Sequence, residues 1–256
     1  QMAEQGEDVL FFTLEQTKFI FVAKSLSRIT AKINLEKGEI NPIIKAIPSS
    51  QIMNGDISGD WLELAKEQYK KIAERVSVID YIKTVEGIRE YVRRYIQRNN
   101  VRPIIIVDYL QILQCENNQL TDKQRIDYII TDLTEMSREF DTLFFVISSL
   151  NRANYLSPLD FESFKESGGI EYTADVVWGL QYQILSDETF KKEKPEEKRE
   201  RIRNASIEHP RRVELVCLKN RFGKPYFKCL FEYYPEVDWF VEPWRVKRGI
   251  PSEVSS

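Results

Sequence analysis

Two carboxylates follow directly after apolar runs of the sequence. Residues 9–14 read Val-Leu-Phe-Phe-Thr-Leu and precede Glu15, and residues 104–107 read Ile-Ile-Ile-Val and precede Asp108. A carboxylate at the end of a buried strand can hold Mg²⁺, often through water, beside the phosphates of a nucleotide. Aspartate also ends parallel strands because it caps the turn or helix that follows. The residues alone leave both roles open.

Polar side chains also follow the apolar run from Leu143 to Ile147. Hydroxyl, amide and guanidinium groups at this point could contact a phosphate. They could equally satisfy the backbone of a turn. For Ser148 and Asn151 taken singly, we prefer this interpretation. These side chains are Ser148, Ser149, Asn151 and Arg152.

Further along the chain, Gly168 and Gly169 lie in a segment, from Lys165 to Asp175, that carries charges of both signs. Paired glycines expose backbone N–H groups, which can bind phosphate without reading bases. A plain connecting loop accounts for the same composition, so this segment also has two interpretations.

Two long cations, Lys219 and Arg221, flank Asn220 where a predicted strand enters its turn. A hairpin holds such side chains more firmly than a loose tail does. Cations held by a hairpin could contact a triphosphate on a neighbouring subunit, where added positive charge stabilises phosphoryl transfer. Exposed basic hairpin tips without such a role are nevertheless common.

The elements that must position these residues are strands alternating with helices. Four apolar runs show no polar alternation, which indicates strands buried on both faces. Apolar residues between them recur at spacings of three and four, which predicts amphipathic helices. This order predicts a mostly parallel sheet flanked by helices, whose carboxyl ends gather at one ligand-binding edge. The predicted strands are Val9–Leu14, Val76–Ile79, Ile104–Val107 and Leu143–Ile147, and the helical positions are Val85, Ile88, Val92 and Ile96, then Ile126, Ile129, Ile130, Leu133, Met136 and Phe140.

The pattern changes in the last third of the chain. Strands are predicted at Val176–Tyr182, Val213–Lys219 and Tyr226–Glu232, the last two forming an antiparallel hairpin that extends the sheet. Residues 187–212, which lie between the first and the second of these strands, are rich in Glu, Lys and Arg. We predict an exposed helix or mobile loop there, without chemistry.

Composition excludes several classes of protein. The 256 residues are 42% hydrophobic and 30% charged, as in a globular protein, and the net charge of −3 gives no global attraction to nucleic acid or membrane. No run approaches the ~18 apolar residues that span a bilayer, and no signal peptide is evident, so a cytoplasmic location is expected. Three cysteines and one histidine leave little material for disulfide, metal or histidine chemistry.

Taken in order, five segments resemble the C-terminal ATPase domain of DnaB-type replicative helicases, a RecA-like family. Residues 9–16 (VLFFTLEQ) are similar to its strand ending Ser-Leu-Glu-Met, and residues 104–113 (IIIVDYLQIL) to its Walker B segment. Residues 147–152 (ISSLNR) resemble Leu-Ser-Gln-Leu-Asn-Arg. Residues 164–177 (FKESGGIEYTADVV) and 218–223 (LKNRFG) resemble the family's Arg-Glu-Ser-Gly-Ala-Ile-Glu segment and its Lys-Gln-Arg-Asn-Gly segment.

The resemblance implies a role for each matching residue. Glu15 would polarise the attacking water and Asp108 would hold Mg²⁺ with ATP. Lys219 and Arg221 would reach the γ-phosphate on a neighbouring subunit. A loop containing Lys165, Glu166 and Gly168 would face single-stranded DNA in the channel of a ring, a hexamer in this family. The ring would move 5′ to 3′, with a helicase loader or primase as further partners and no membrane.

Two departures from the family are visible. Ser149 stands where the family has a glutamine that senses the γ-phosphate, and the serine side chain is too short for the same reach. The sequence also contains no G-x-x-x-x-G-K-[ST], since its one Gly-Lys pair, Gly223-Lys224, precedes Pro225. We therefore expect residues 1–256 to form a single RecA-like domain, incomplete at its N-terminus and inactive alone. The alternative is a non-catalytic RecA-like module that binds a helicase ring or a related ATPase.

Overall fold

The computed structural model describes residues 2–37, 39, 43, 45–55, 59–151, 154–164 and 168–243. Its strands are β1 Val9–Thr13, β2 Val76–Ile79, β3 Ile104–Asp108, β4 Phe144–Val146, β5 Val176–Tyr182, β6 Arg211–Asn220, β7 Lys228–Tyr234 and β8 Trp239–Val241. Its α-helices are α1 Lys18–Glu36, α2 Ser49–Asn54, α3 Asp60–Ala73, α4 Val85–Asn99, α5 Asp122–Phe140, α6 Gly168–Thr173, α7 Glu188–Lys191 and α8 Pro195–Ile207.

These residues divide into two compact units. The first comprises Gln1–Phe21, Lys70–Asn151 and Phe161–Asp175, and the second comprises Val22–Tyr69, Arg152–Asp160 and Val176–Ser256. Each unit has a sheet of its own. The single domain over residues 1–256 stays a prediction.

The first unit contains a sheet of four parallel strands in the order β2-β1-β3-β4. The two central strands lie in register, with Val9 opposite Ile104 and Thr13 opposite Asp108. The predicted parallel sheet is therefore confirmed. Since both strands run the same way, the residues that follow them leave at the same edge.

The core of this unit lies between the sheet and the two helices that the apolar spacing predicted. Leu10, Phe12, Ile105 and Val107 of the central strands are fully buried. The buried side chains of α4 and α5 join the same cluster and confirm both helices. They are Val85, Ile88, Val92, Ile126, Ile129, Leu133 and Met136.

Both helices begin at a threonine. Thr84 accepts the N–H of Gly87 at the start of α4. At the start of α5, Thr121 accepts the N–H of Gln124 while the Gln124 side chain accepts the N–H of Thr121, which is a capping box. These bonds satisfy donors that the first helical turn leaves without partners, so the sequence itself sets where each helix starts.

The amino end of the sheet is closed by a polar cluster. Asp8, just before β1, accepts hydrogen bonds from Arg75 at 3.0 Å and from the Tyr95 hydroxyl at 2.9 Å. Burial, followed by the bond to Asp8, raises the pKa of Tyr95 to about 12. These side chains fasten β1 to α4 and to the turn before β2, far along the strands from the residues singled out for chemistry.

Strand β4 is an edge strand, which corrects one expectation. The run Leu143–Ile147 was predicted to be buried on both faces, yet Leu143, Val146 and Ile147 are 52%, 38% and 46% exposed. The reason is its place in the sheet, because β4 pairs with β3 alone in the described part of the chain. An apolar run predicts a strand, but it does not show whether that strand lies in the middle or at the edge of its sheet.

The second unit contains a sheet of four antiparallel strands in the order β5-β6-β7-β8. The predicted hairpin is present as β6 and β7, but it belongs to this second sheet, and β8 had not been predicted because it is only three residues long. Gly179 of β5 packs against Leu159, since a Cβ at position 179 would lie 2.6 Å from Leu159 Cδ1 and would require that side chain to move.

The charged stretch at residues 187–212 is mostly helical. It forms α7 and α8 and enters β6, so the predicted exposed helix is correct for much of its length. Phe190 is nevertheless fully buried, and Arg201 pairs with Asp187 and Glu193. Phe190 therefore packs this otherwise charged segment against the protein, and the composition of the segment did not predict such a contact. No helix in the described ranges is long and apolar enough to cross a bilayer.

Candidate functional site

Glu15 and Asp108 stand at the same edge of the parallel sheet. Asp108 ends β3 directly beside Thr13, the last residue of β1, and the N–H of Leu14 donates to the Asp108 carbonyl oxygen at 2.8 Å. Glu15 is the next residue, and its side chain is exposed, whereas Asp108 is half-buried. The two carboxylates therefore follow neighbouring strands at the carboxyl edge, where open α/β sheets bind ligands.

The short segment that contains Glu15 is held by the side chain of Thr13. The hydroxyl of Thr13, which is buried, donates to the carbonyl oxygen of Gln16 at 2.7 Å and accepts the N–H of the same residue at 3.2 Å. This closed turn leaves Glu15 between two bonded residues. Its carboxylate therefore projects from an ordered backbone.

A third carboxylate at this edge, Asp80, was not singled out in the sequence. It follows β2, and its Oδ2 accepts the N–H of Lys18 at 2.9 Å, at the start of α1. The signal was available, because Val-Ser-Val-Ile before Asp80 is an apolar strand ending in aspartate, as at Asp108. Asp80 stabilises the helix terminus that begins three residues after Glu15.

Replacing Asp80 with alanine is expected to lower the free energy of unfolding by about 1 kcal/mol, because the N–H of Lys18 loses its acceptor and the helix terminus loses a negative charge. Urea denaturation followed by circular dichroism measures the change. Asp80→Asn keeps an acceptor oxygen and should lose only part of this stability. Equal losses in the two variants would contradict a capping role.

Ser149 lies beyond β4 at the same end of the parallel sheet. The chain is paired to β3 up to this point, since the N–H of Ile147 donates to the Val107 carbonyl at 3.0 Å. The N–H of Ser149 donates to the side chain of Gln111 at 3.0 Å, and Gln111 was not among the predicted site residues. Sequence spacing gives no sign that Gln111 reaches the end of another strand.

Lys219 and Arg221 belong to the second unit and stand at the β6–β7 hairpin. The hairpin closes through reciprocal backbone bonds of Cys217 with Tyr226 and Phe227, both at 2.9 Å. Lys219 is the second-last residue of β6, and Arg221 is exposed in the turn. The hairpin that was predicted to carry these two cations is present. Their contact with a phosphate stays a prediction.

Of the three residues assigned to a DNA-facing loop, Lys165 and Glu166 lie outside the described residues. Gly168 is described as the first residue of α6. Its neighbour Gly169 packs tightly on α5, where a Cβ would lie 3.0 Å from Asp127 Oδ1 and 3.3 Å from Ile130 Cδ1. Close helix packing therefore explains the second glycine of the pair without a ligand.

The donor atoms at the carboxyl edge suit a hard cation. Mg²⁺ takes oxygen ligands and commonly uses one or two carboxylates together with substrate phosphates and water. Asp108 supplies a carboxylate oxygen of this kind, and Glu15 follows the neighbouring strand at the same edge. Within the described ranges, three or more His, Cys, Asp or Glu side chains nowhere gather into a metal-binding group. This edge therefore fits a metal bound jointly with a nucleotide better than a metal held by protein ligands alone.

A parallel sheet with flanking helices, an antiparallel sheet after it and oxygen ligands at the carboxyl edge define an α/β protein of the RecA-like class. The chain belongs to the DnaB-like helicase family, because the model of the DnaB-like helicase C-terminal domain matches residues 1–241.

Similar proteins agree with this assignment. A probable replicative DNA helicase of Trieres chinensis is 26% identical over 176 residues, which cover 66% of this chain and 35% of that protein. A solved ATPase domain has the same fold, with a TM-score of 0.70 and 22% identity over 94% of this chain and 76% of that one. The structure of a DnaB-like replicative helicase, described with its interactions with primase, is similar with a TM-score of 0.68 and 22% identity. The match covers 94% of this chain and 53% of that one. The chain thus spans about a third of its curated relative.

Proposed function

We propose that this chain is the part of a replicative helicase that hydrolyses ATP and moves single-stranded DNA 5′ to 3′, so that the duplex is unwound during replication. The observation that supports the proposal is the register of the central strands, which pairs Thr13 with Asp108, so that Glu15, two residues after Thr13, follows at the same carboxyl edge. This function accords with the family of the chain and with the helicases that it resembles.

In this mechanism each carboxylate has a separate task. Asp108 would hold Mg²⁺, which when bound would neutralise charge on the phosphates. Glu15, exposed on its ordered link, accepts a hydrogen bond from the attacking water and orients it toward the γ-phosphate. Ser149, three residues after β4, lies at the same end of the sheet and would face the phosphates. Glu15 is more exposed than Asp108, which leaves its carboxylate accessible to water.

Assembly completes the site. Lys219 and Arg221, on the ordered hairpin, reach the γ-phosphate bound by a neighbouring subunit of a ring, a hexamer, and stabilise the charge of the transition state. Lys165, Glu166 and Gly168 face single-stranded DNA in the channel. A primase or a helicase loader is a further partner, since one similar helicase is described with primase. The assembly acts in the cytoplasm.

The phosphate cradle is the part that this sequence does not supply. A P-loop places backbone N–H groups and a lysine around the phosphates, and no such motif occurs in these 256 residues. We therefore include in the proposal that the chain by itself does not hydrolyse ATP. A strand–P-loop–helix segment supplied with it completes the nucleotide site.

A direct test joins a strand–P-loop–helix segment that carries G-x-x-x-x-G-K-[ST] to the amino end of the chain. We call this protein the P-loop-extended chain. Its phosphate release from ATP is expected to exceed that of the 256-residue chain at least 100-fold, since one cradle of charged hydrogen bonds is worth several kcal/mol. The control replaces the P-loop lysine with alanine.

Two outcomes would overturn this proposal. Turnover by the 256-residue chain alone would show that the cradle is not required. No turnover by the P-loop-extended chain, together with inhibition of an intact ring helicase by the 256-residue chain, would favour the non-catalytic binding module instead.

A further inference from the structure

Gln111 lies three positions after Asp108, in a single helical turn formed by Leu110–Ile112. Its side chain uses both ends of its carboxamide. Nε2 donates to the Ser148 hydroxyl at 2.8 Å, and Oε1 accepts the N–H of Ser149 at 3.0 Å. These two bonds, which we call the Gln111 clamp, join the segment that follows β3 to the segment that follows β4.

The turn that carries the clamp is itself held rigidly. The Gln111 carbonyl accepts both terminal nitrogens of Arg125 at 3.3 Å, and the same guanidinium donates to the Leu113 carbonyl. The N–H of Leu110 donates to the Ile147 carbonyl at 2.9 Å. Because its backbone is fixed on both sides, Gln111 can transmit a displacement of one segment to the other.

Beyond Ser149 the connection continues through the backbone. Leu150 forms an antiparallel bridge with Phe164, and the N–H of Asn151 donates to the carbonyl oxygen of Ser163 at 2.7 Å. Ser163 is fully buried and Phe164 is buried as well. An ordered series of contacts therefore leads from the Asp108 edge to the turn at Phe161–Ser163, which precedes Gly168 along the chain.

Resting on the function proposed above, we infer that Gln111 is a positioning residue that makes ATP hydrolysis respond to single-stranded DNA. Ser149 has too short a side chain to connect a phosphate with the rest of the segment. The carboxamide of Gln111 supplies that connection from the neighbouring strand. Both ends of the Gln111 carboxamide are engaged by Ser148 and Ser149, so its removal is expected to uncouple DNA from hydrolysis without removing hydrolysis.

The test compares variants of the P-loop-extended chain with and without oligo(dT). Gln111→Leu removes both bonds of the clamp, and the ratio of DNA-stimulated to basal kcat is expected to fall about tenfold, a typical size for coupling between sites. Basal kcat should change less than about twofold, because Leu replaces no group at the phosphate. Gln111→Glu keeps the acceptor for Ser149 and an oxygen for Ser148, and should restore most of the ratio.

Gln114→Leu is the matched control. Gln114 lies in the same segment, but it is exposed and its side chain donates to the Ile112 carbonyl at 3.0 Å, so the ratio should not change. A measurement on the 256-residue chain checks the clamp directly. Hydrogen exchange at the Ser149 amide should accelerate about tenfold in Gln111→Leu and not in Gln114→Leu, because only the first loses a bond to that amide.

The outcomes separate this inference from the proposed function. Undiminished DNA stimulation in Gln111→Leu, with turnover present, overturns the inference and leaves the proposed function intact. Equal loss of basal and stimulated turnover also overturns it, because Gln111 then serves hydrolysis itself. Absence of turnover in the unsubstituted P-loop-extended chain rejects the proposed function and the coupling that rests on it.

Discussion

Replacing Glu15 with glutamine in the P-loop-extended chain is expected to lower kcat for ATP hydrolysis by about 100- to 10,000-fold, the usual contribution of a general base. Glutamine keeps the size and the exposed position of the side chain but no longer attracts the proton of the attacking water. Affinity for ATP should change little, because the role proposed for Glu15 is to contact the attacking water and not the nucleotide. Steady-state phosphate release and binding of a fluorescent ATP analogue measure the two quantities.

The matched control for this substitution is Glu7→Gln. Glu7 is also exposed and lies just before β1, at the opposite end of the same strand. Its replacement removes one carboxylate from the same neighbourhood of the sequence but from the wrong edge of the sheet. If both variants keep full turnover, Glu15 is not the base, and the role of the carboxyl edge must be reassigned.

The second large effect is expected on stability. Phe12 is fully buried in the middle of β1, and its ring packs edge-to-face on Tyr91 of α4 with 5.7 Å between the ring centroids. Phe12→Ala should lower the free energy of unfolding by roughly 3–5 kcal/mol, because it removes buried surface and leaves a cavity. Guanidinium denaturation followed by circular dichroism measures the loss.

Phe19→Ala serves as the comparison for Phe12→Ala. Phe19 lies in α1 and is 59% exposed, so its replacement should change stability by about 0.5 kcal/mol or less. A loss as large as that of Phe12→Ala would mean that burial does not decide the cost. A small loss in Phe12→Ala would mean that the strand collapses around the missing ring.

The central strands and the edge they share could be predicted because a physical rule links pattern to position. Apolar runs without alternation indicate buried parallel strands, and parallel strands deliver their following residues to one edge. Glu15 and Asp108 could thus be placed together from the sequence. Asp80 follows the predicted strand Val76–Ile79 and carries the same signal, although it was not among the predicted site residues.

Other features depend on contacts that spacing does not encode. Gln111 reaches Ser148 and Ser149 because β3 and β4 are neighbours and the turn after β3 folds back, and neither fact is visible in residues 108–113. Phe190 was hidden within a charged segment, and β8 was too short to produce a pattern. In each case tertiary packing, and not local propensity, determines the outcome.

The position of β4 has a consequence for where the parallel sheet could be extended. Since Leu143 and Ile147 direct their paired groups toward β3, the backbone amides and carbonyls of Phe144 and Val146 point away from it. No charge or proline blunts this rim, which consists of phenylalanine and valine. Within the described residues no strand pairs with this side of β4, so its main-chain groups are where a further strand could add to the parallel sheet.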